Sequence, residues 1–241
     1  MPVTAQPVPI LKDNYAWLLR DSTTGAVAIV DPAEAPPIIK AIEDAGGRLD
    51  LILLTHHHGD HIAATDEVRA RFGAKVVGAA ADAHRLPKLD QAVNEGDEVA
   101  FGGATAQVID TPGHTVGQIN YFFPDGAVLL AGDTLFSLGC GRLIEGTAAQ
   151  MFASLQKLIA LPDDTLVCAG HEYTEANARF ALTVEPDNAA LKARAAEVSR
   201  LRAAGQPTLP SNLGEEKRAN PFLTAGDVAS FADRRARKDR F

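Results

Sequence analysis

The sequence predicts an α/β protein in which mixed sheets are covered by helices over the first two thirds, followed by a helical C-terminal region. Three observations carry that expectation. Short apolar runs rich in β-branched residues recur along the first part, each closed by a small-residue turn and a polar cluster. Amphipathic stretches lie between some of them. After His171 the β-like runs stop and apolar residues fall at helical spacing. The 241 residues, 46% hydrophobic and 22% charged, suit one large folded domain or a medium domain with a small appendage.

In chain order, AVAIVDP near Ala26 reads as a buried strand, and PPIIKAIEDAGG as a helix with Ile38, Ile39 and Ile42 on one face, stopped by its paired glycines. LDLILLTH near Leu51 is the next strand, HIAATDEVRARFG the next helix, and AKVVGA near Lys75 another strand. QAVNEGDEVAFGGATAQVID reads as a hairpin joined through Gly102 and Gly103. AVLLAGD near Ala127 and TLVCAGH near Thr165 are strands that flank the helix TAAQMFASLQKLIALP. Beyond a domain change at residue 172, TEANARFALTV and DNAALKARAAEVSRLRAAG are helices, the second with Leu191, Val198 and Leu201 on one stripe and Gly205 and Pro207 at its end.

A net charge of −8 argues against a nucleic-acid or anionic-membrane partner for the molecule as a whole. The opening MPVTAQPVPILKDNY has no basic region followed by an apolar stretch, and no apolar segment approaches a membrane span, so a cytoplasmic location is expected; the chain is separately expected to be a monomer. Cys140 and Cys168 allow at most one bridge, and Cys168 inside TLVCAG reads as a small buried hydrophobe.

The chemistry is concentrated in LILLTHHHGDH. In an extended segment alternate side chains share a face, so His56 and His58 can meet at one point while His57 looks away. Gly59 then permits a sharp turn that lets Asp60 and His61 reach a second point. His114, Asp133 and His171 each follow their own apolar run by one short turn, in TPGH, LAGD and CAGH. Five imidazoles and two carboxylates exceed the four positions of one tetrahedral zinc and suit two adjacent ions. Nitrogen and oxygen donors without thiolate fit Zn, Fe or Mn. His57 reads as packing or support for the ligands, and His84, in ADAHRLP, as a surface residue.

THHHGDH, TPGHTVGQ, AGDTLF and AGHEYT together resemble the metal signature of the metallo-β-lactamase superfamily. The resemblance spans residues 1–171 and implies an αββα sandwich with a binuclear metal site at one edge, with residues 172–241 as a helical substrate-binding domain. PILKDNYAW, GDTLFSLGCGRLIEGT, HEYTEAN, SNLGEEKRANPF and RRARKDRF extend the similarity, over essentially the whole chain, to the hydroxyacylglutathione hydrolase (glyoxalase II) family. That family resemblance implies one metal on His56, His58 and His114, another on Asp60, His61 and His171, and Asp133 bridging; the metals would be two divalent ions, Zn first, with Fe or Mn as alternatives. It implies hydrolysis of S-(2-hydroxyacyl)glutathione, notably S-D-lactoylglutathione, by a metal-activated hydroxide during methylglyoxal detoxification. Asp133 would fix the metal separation and Asp60 orient the hydroxide.

Substrate contacts carry over to Arg142, Tyr173, Arg235 and Lys238. The residues themselves agree, because Arg234, Arg235, Arg237, Lys238 and Arg240 crowd an otherwise acidic chain and glutathione carries two carboxylates. The chain departs from the family at Gln118, in place of a second histidine, at Ala63 and Ala64, in place of a glycine pair, and at Ile144, where some members have an aromatic. The rival readings are a lactonase, a β-lactamase or an iron persulfide dioxygenase on the same fold, and, in a different class, a non-catalytic metal-binding or nucleic-acid-binding module.

Overall fold

The computed structural model describes residues 3–241; Met1 and Pro2, part of the N-terminal stretch read above, lie outside the described residues. The first sheet has six strands in the order β1 (Val3–Ile10), β2 (Asn14–Asp21), β3 (Val27–Val30), β4 (Leu51–Leu53), β5 (Lys75–Ala79) and β6 (Gln91–Val93). Its first three strands are antiparallel and its last three add in parallel. The parallel steps require crossovers: α1 (Ala35–Asp44) provides the one from β3 to β4, α2 (Gly59–Ile62) and α3 (Thr65–Phe72) the one from β4 to β5, and residues 80–90 the one from β5 to β6. The second sheet runs β14 (Ser211–Asn212), β13 (Leu166–Ala169), β10 (Val128–Gly132), β9 (Ile119–Phe123), β8 (Ala104–Asp110) and β7 (Glu98–Phe101). A short hairpin, β11 (Leu135–Phe136) with β12 (Gly139–Cys140), projects beside it.

Inward side chains of both sheets, among them Trp17, Leu53, Val77, Tyr121, Phe123, Leu130 and Cys168, form one core between them. Ile38, Ile42 and Val68 of the helices cover the outer face of the first sheet. Met151, Leu155 and Leu158 of α4 (Ala148–Ile159), with Phe180, Phe222 and Phe231, cover the outer face of the second. The result is the αββα layering.

The HIAATDEVRARFG stretch is two helices rather than one, interrupted at Ala63 and Ala64. The expected hairpin over residues 91–110 is only partly formed: β7 and β8 pair through Gly102 and Gly103, but β6 leaves for the other sheet. Strands do not end at His171 either. Ser211 and Asn212 pair antiparallel with Val167 and Leu166, so the C-terminal region extends the second sheet before α7 (Leu213–Ala219) and α8 (Val228–Asp239) close the chain. With α5 (Thr174–Val184) and α6 (Ala189–Ala203) it shares buried contacts with the body of the fold. Buried Glu216 accepts the Leu138 N–H at 2.8 Å, and Asn220 Nδ2 donates to the carbonyls of Phe136 and Gly139 at 3.0 Å. These bonds anchor the β11–β12 hairpin to α7.

Candidate metal centre and its cleft

All the ligand-type residues named from the sequence arrive at one edge of the sandwich. The segment after β4 brings His56, His58, Asp60 and His61; the β8–β9 connection brings His114; the turns after β10 and β13 bring Asp133 and His171. Each follows a strand whose inward side chains are packed in the core, so the backbone behind it is fixed. Gly59 takes no left-handed conformation and has open space around it, so the expected sharp turn is an ordinary helical turn starting at His58. Glycine is required instead at Gly170, where a Cβ would stand 2.5 Å from Asp133 Oδ1 and 2.7 Å from His61 Cε1.

The ligand atoms named from the sequence form two groups, His56–His58–His114 and Asp60–His61–His171, and a third, overlapping group brings Asp31 together with His56 and His61. In the first, His56 Nε2 and His114 Nε2 lie 3.2 and 3.0 Å from His58 Nδ1. In the second, His171 Nε2 and His61 Nε2 lie 3.4 and 3.9 Å from Asp60 Oδ2. Asp133 stands between the groups: Oδ1 is 3.4 Å from His61 Nε2, and Oδ2 is 3.5 Å from His114 Nε2 and 3.4 Å from His171 Nε2. A tetrahedral ion with bonds of about 2.0–2.1 Å needs ligand atoms roughly 3.3 Å apart, which these spacings match.

The outer hydrogen bonds fit the same purpose. His114 Nδ1 faces the Arg142 carbonyl oxygen at 2.8 Å and must therefore donate, leaving Nε2 as a lone pair turned inward. His61 Nδ1 meets Asp31 Oδ2 and His171 Nδ1 meets Asp13 Oδ1, each at 3.0 Å. His56 Nδ1 meets Thr55 Oγ1 at 3.0 Å, whose proton goes to Asp31 Oδ2 at 2.6 Å. Buried His61 Nε2 and Asp133 Oδ1 have no hydrogen-bond partner, although such atoms are costly to leave unpaired. The donor set fits divalent metal.

The facing charges and burial shift the ionisation of these side chains. Burial pushes His61 and His171 down, but Asp133 with Asp31 outweighs it at His61, and Asp133, Asp60 and Asp13 take His171 up to about 11. Burial, then the neighbouring imidazoles, holds His56 and His58 below the ordinary histidine value. Asp133 lies well below the carboxylate range because His61, His171 and His56 outweigh its burial. The His171 hydrogen bond, helped by Asn14, lowers Asp60.

A cleft of about 350 Å³ opens over these ligands, walled by Phe136, Arg142, Ile144 and Tyr173. The Tyr173 ring stacks on His171 at 4.5 Å, and burial raises its phenol. Arg142 is largely exposed at the rim, 3.9 Å from Asp239. Arg235 and Lys238 share one side of α8 but do not line this cleft. Arg235 is 6% exposed, donates to the Cys140 carbonyl at 2.9 Å and to Asp239 at 2.7 Å, and lies over the Phe222 ring. Lys238 is half-buried, donates to the Ala176 carbonyl at 3.1 Å and lies near the Phe180 and Phe241 rings. Arg234 is turned inward onto Glu185 and Arg237 lies 3.7 Å from Asp233, so the basic tail is largely paired within the fold.

Asp31, Asp13 and Asn14 support the centre and were not singled out from the sequence. Asn14 Nδ2 reaches Asp60 Oδ2 at 3.1 Å. The available signal was positional, because Asp31 ends the run AVAIVD just as the ligands end theirs. Gln118 is also explained: with its amide oriented to satisfy its neighbours, its oxygen accepts from the backbone N–H of Thr134 at 2.8 Å and of Asp133 at 3.1 Å, bracing the Asp133 turn. His57 faces Asp82 rather than the ligand group, His84 is exposed, and both cysteines are free and buried.

Residues 11–171 match the family model of the metallo-beta-lactamase superfamily, and residues 172–241 that of the hydroxyacylglutathione hydrolase C-terminus. The hydroxyacylglutathione hydrolase of Acidiphilium cryptum is 59% identical over 99% of this chain and 97% of its own, and that of Ruegeria pomeroyi 53% identical over 100% of both. Among solved structures, ETHE1 from Myxococcus xanthus superposes with TM-score 0.72 at 27% identity, covering 97% of this chain and 90% of its own. TTHA1623 in a di-iron-bound form superposes with TM-score 0.64 at 25% identity, covering 91% of this chain and 100% of its own.

Proposed function

The chain belongs to the hydroxyacylglutathione hydrolase family of the metallo-beta-lactamase superfamily, and we propose from that premise that it hydrolyses S-(2-hydroxyacyl)glutathione thioesters, S-D-lactoylglutathione foremost. The observation that carries hydrolysis is the convergence of seven His and Asp side chains at metal-ligand spacing beneath an open cleft. The C-terminal similarity selects this substrate over those of a lactonase, a β-lactamase or a dioxygenase.

His56, His58 and His114 would hold one divalent ion, Asp60, His61 and His171 the second, and Asp133 would touch both. When bound, two such ions lower the pKa of water towards ~7 and polarise the thioester carbonyl. Zn is the first expectation, and Fe and Mn also suit a nitrogen and oxygen donor set. Asp31, Asp13 and the Arg142 carbonyl hold the ligand imidazoles in the required tautomer, and Asp60, partly exposed to the cleft, is placed to orient the hydroxide. A glutathione thiolate, with a conjugate-acid pKa near ~8.5 like an ordinary cysteine, leaves with little protonation. Tyr173 and Arg142 are the cleft's titratable groups outside the ligand set, so the site offers binding rather than a general acid.

Arg142 and Tyr173 would receive the glutathione moiety at the rim, with Arg235 and Lys238 behind them contributing positive potential towards its carboxylates. Residues 172–241 would act as the substrate-binding domain on a 1–171 catalytic domain. The large exposed apolar side chains, such as Leu11 and Val228, are few, which supports a monomer. Among the described residues no helix is long and apolar enough to cross a membrane. The test is thiol release from S-D-lactoylglutathione by metal-loaded protein with metal content measured in parallel. Two bound ions without thiol release would overturn the thioesterase reading and leave the fold intact.

A further inference from the structure

Beside the metal centre lies a ring of four charged or polar side chains that takes no part in ligation. His57 Nδ1 is 3.0 Å from Asp82 Oδ2, and its Nε2 is 3.6 Å from Glu145 Oε1. The Arg85 guanidinium closes the ring by bonding both Asp82 Oδ1 and Glu145. Asp82 is 1% exposed, and Gly117 admits it, since a Cβ there would stand 2.2 Å from the Asp82 carboxyl carbon. Glu145 also accepts the Val116 N–H at 2.9 Å. Surface ion pairs contribute little, but a bidentate arginine spanning two carboxylates, one fully buried, fixes geometry.

The ring joins three segments with different tasks. His57 sits between two metal ligands, Asp82 and Arg85 lie on the turn after β5, and Glu145 belongs to the 142–146 loop that presents Arg142 and Ile144 to the cleft. That loop's backbone is also tied to the metal segment: Ile144 and Glu145 N–H reach the His114 carbonyl at 3.3 and 3.2 Å, and Gly146 N–H reaches that of Gly113 at 3.1 Å. The Arg142 carbonyl is bonded to His114 Nδ1 at 2.8 Å, but its guanidinium is largely exposed and stands 3.9 Å from Asp239. The side-chain ring therefore adds a second, charged link between the metal floor and the recognition rim, beside these backbone ties.

We propose that Arg85, Asp82, His57 and Glu145 form a positioning clamp that sets the 142–146 rim against the metal centre and thereby governs the binding of the glutathione moiety. The proposal rests on the thioesterase reading for its substrate. The clamp groups are positioning residues, acting through Arg142 and Ile144.

Arg85→Gln and Glu145→Gln are each assayed for KM and kcat on S-D-lactoylglutathione, for metal content, and for glutathione affinity by calorimetry. Glu145→Gln keeps an acceptor for the Val116 N–H, so folding is not at stake in that variant. The expected result is a rise of about tenfold in KM and in the glutathione Kd, with kcat within about twofold and both metals retained. The double variant should be no worse than either single, because both break one device, and Arg85→Lys should recover part of the loss. Unchanged KM and Kd, or a fall in kcat and metal content at constant KM, would overturn the clamp. If wild type releases no thiol the substrate reading fails, while the glutathione Kd still decides the clamp.

Discussion

Asp31 is the residue whose replacement most directly tests how the second metal position is built. Its carboxylate, 3% exposed, accepts the Thr55 N–H at 2.8 Å, the Thr55 hydroxyl at 2.6 Å and the His61 Nδ1–H at 3.0 Å. Asp31→Asn keeps the volume but turns one acceptor into a donor. If the amide nitrogen takes the Oδ2 position, the Thr55 hydroxyl can rotate, but His61 must move its proton to Nε2, the atom that faces Asp133 Oδ1 at 3.4 Å. The opposite amide orientation sets an NH₂ against the Thr55 backbone N–H, which cannot move. One buried donor is thus unsatisfied at a cost of about 1–3 kcal/mol, and His61 is lost or weakened as a ligand. Loss of such support lowers metal affinity about 10- to 100-fold, equivalent to about 1.4–2.7 kcal/mol. Chelator competition on purified protein, with metal content measured in the same samples, should show one ion held as in wild type and one weakened by that factor. Wild-type affinity for both ions in Asp31→Asn would refute the reasoning.

Further outcomes follow from the same geometry. Gly170→Ala drives a Cβ into Asp133 and His61, so it should cost about 1–3 kcal/mol by thermal unfolding and lower metal content; an unchanged protein would show that the turn has room. Asp133→Ala removes the one carboxylate shared by both groups and should abolish two-metal binding and most thiol release, whereas full activity with intact metal content would exclude its bridging role. Burial, with repulsion from Arg235 and Arg179 against attraction from Asp239, lowers Lys238 to about 8. Its cation is present below that pH and lost above it, while the glutathione carboxylates stay ionised, so KM should climb as pH rises through about 8. Lys238→Arg should flatten that profile, and a KM indifferent to pH in wild type would remove Lys238 from recognition.

Much of the candidate site was legible because its ligand-type residues sit at the ends of locally apolar strands, where hydrophobic pattern and side-chain chemistry coincide in sequence. Asp60 and His61 lie beside β4 in the chain, and His114, Asp133 and His171 each mark a strand end. Strand β1 is not legible in the sequence because Pro7 and Pro9 interrupt its pattern; prolines are tolerated there because it is an edge strand paired to β2. Strand β6 was drawn into a hairpin because its neighbours in sequence form one, and only the Val77–Gln91 pairing places it in the first sheet. The basic tail read as free charge since composition records sign and not partners; in the fold Arg234 meets Glu185 and Arg235 meets Asp239.

The sequence by itself determined the candidate ligand-type residues, their order, the strand-end positions and the layered class of the fold, since each depends on local periodicity and on side-chain chemistry. Tertiary structure alone decided which atoms support them. Asp13 meets His171 across 158 positions and Asp31 meets His61 across 30, and Glu145 reaches Arg85 across 60. Hydrogen bonds between distant segments leave no period in the chain; they exist only once two packed sheets bring the ends of their strands to the same edge.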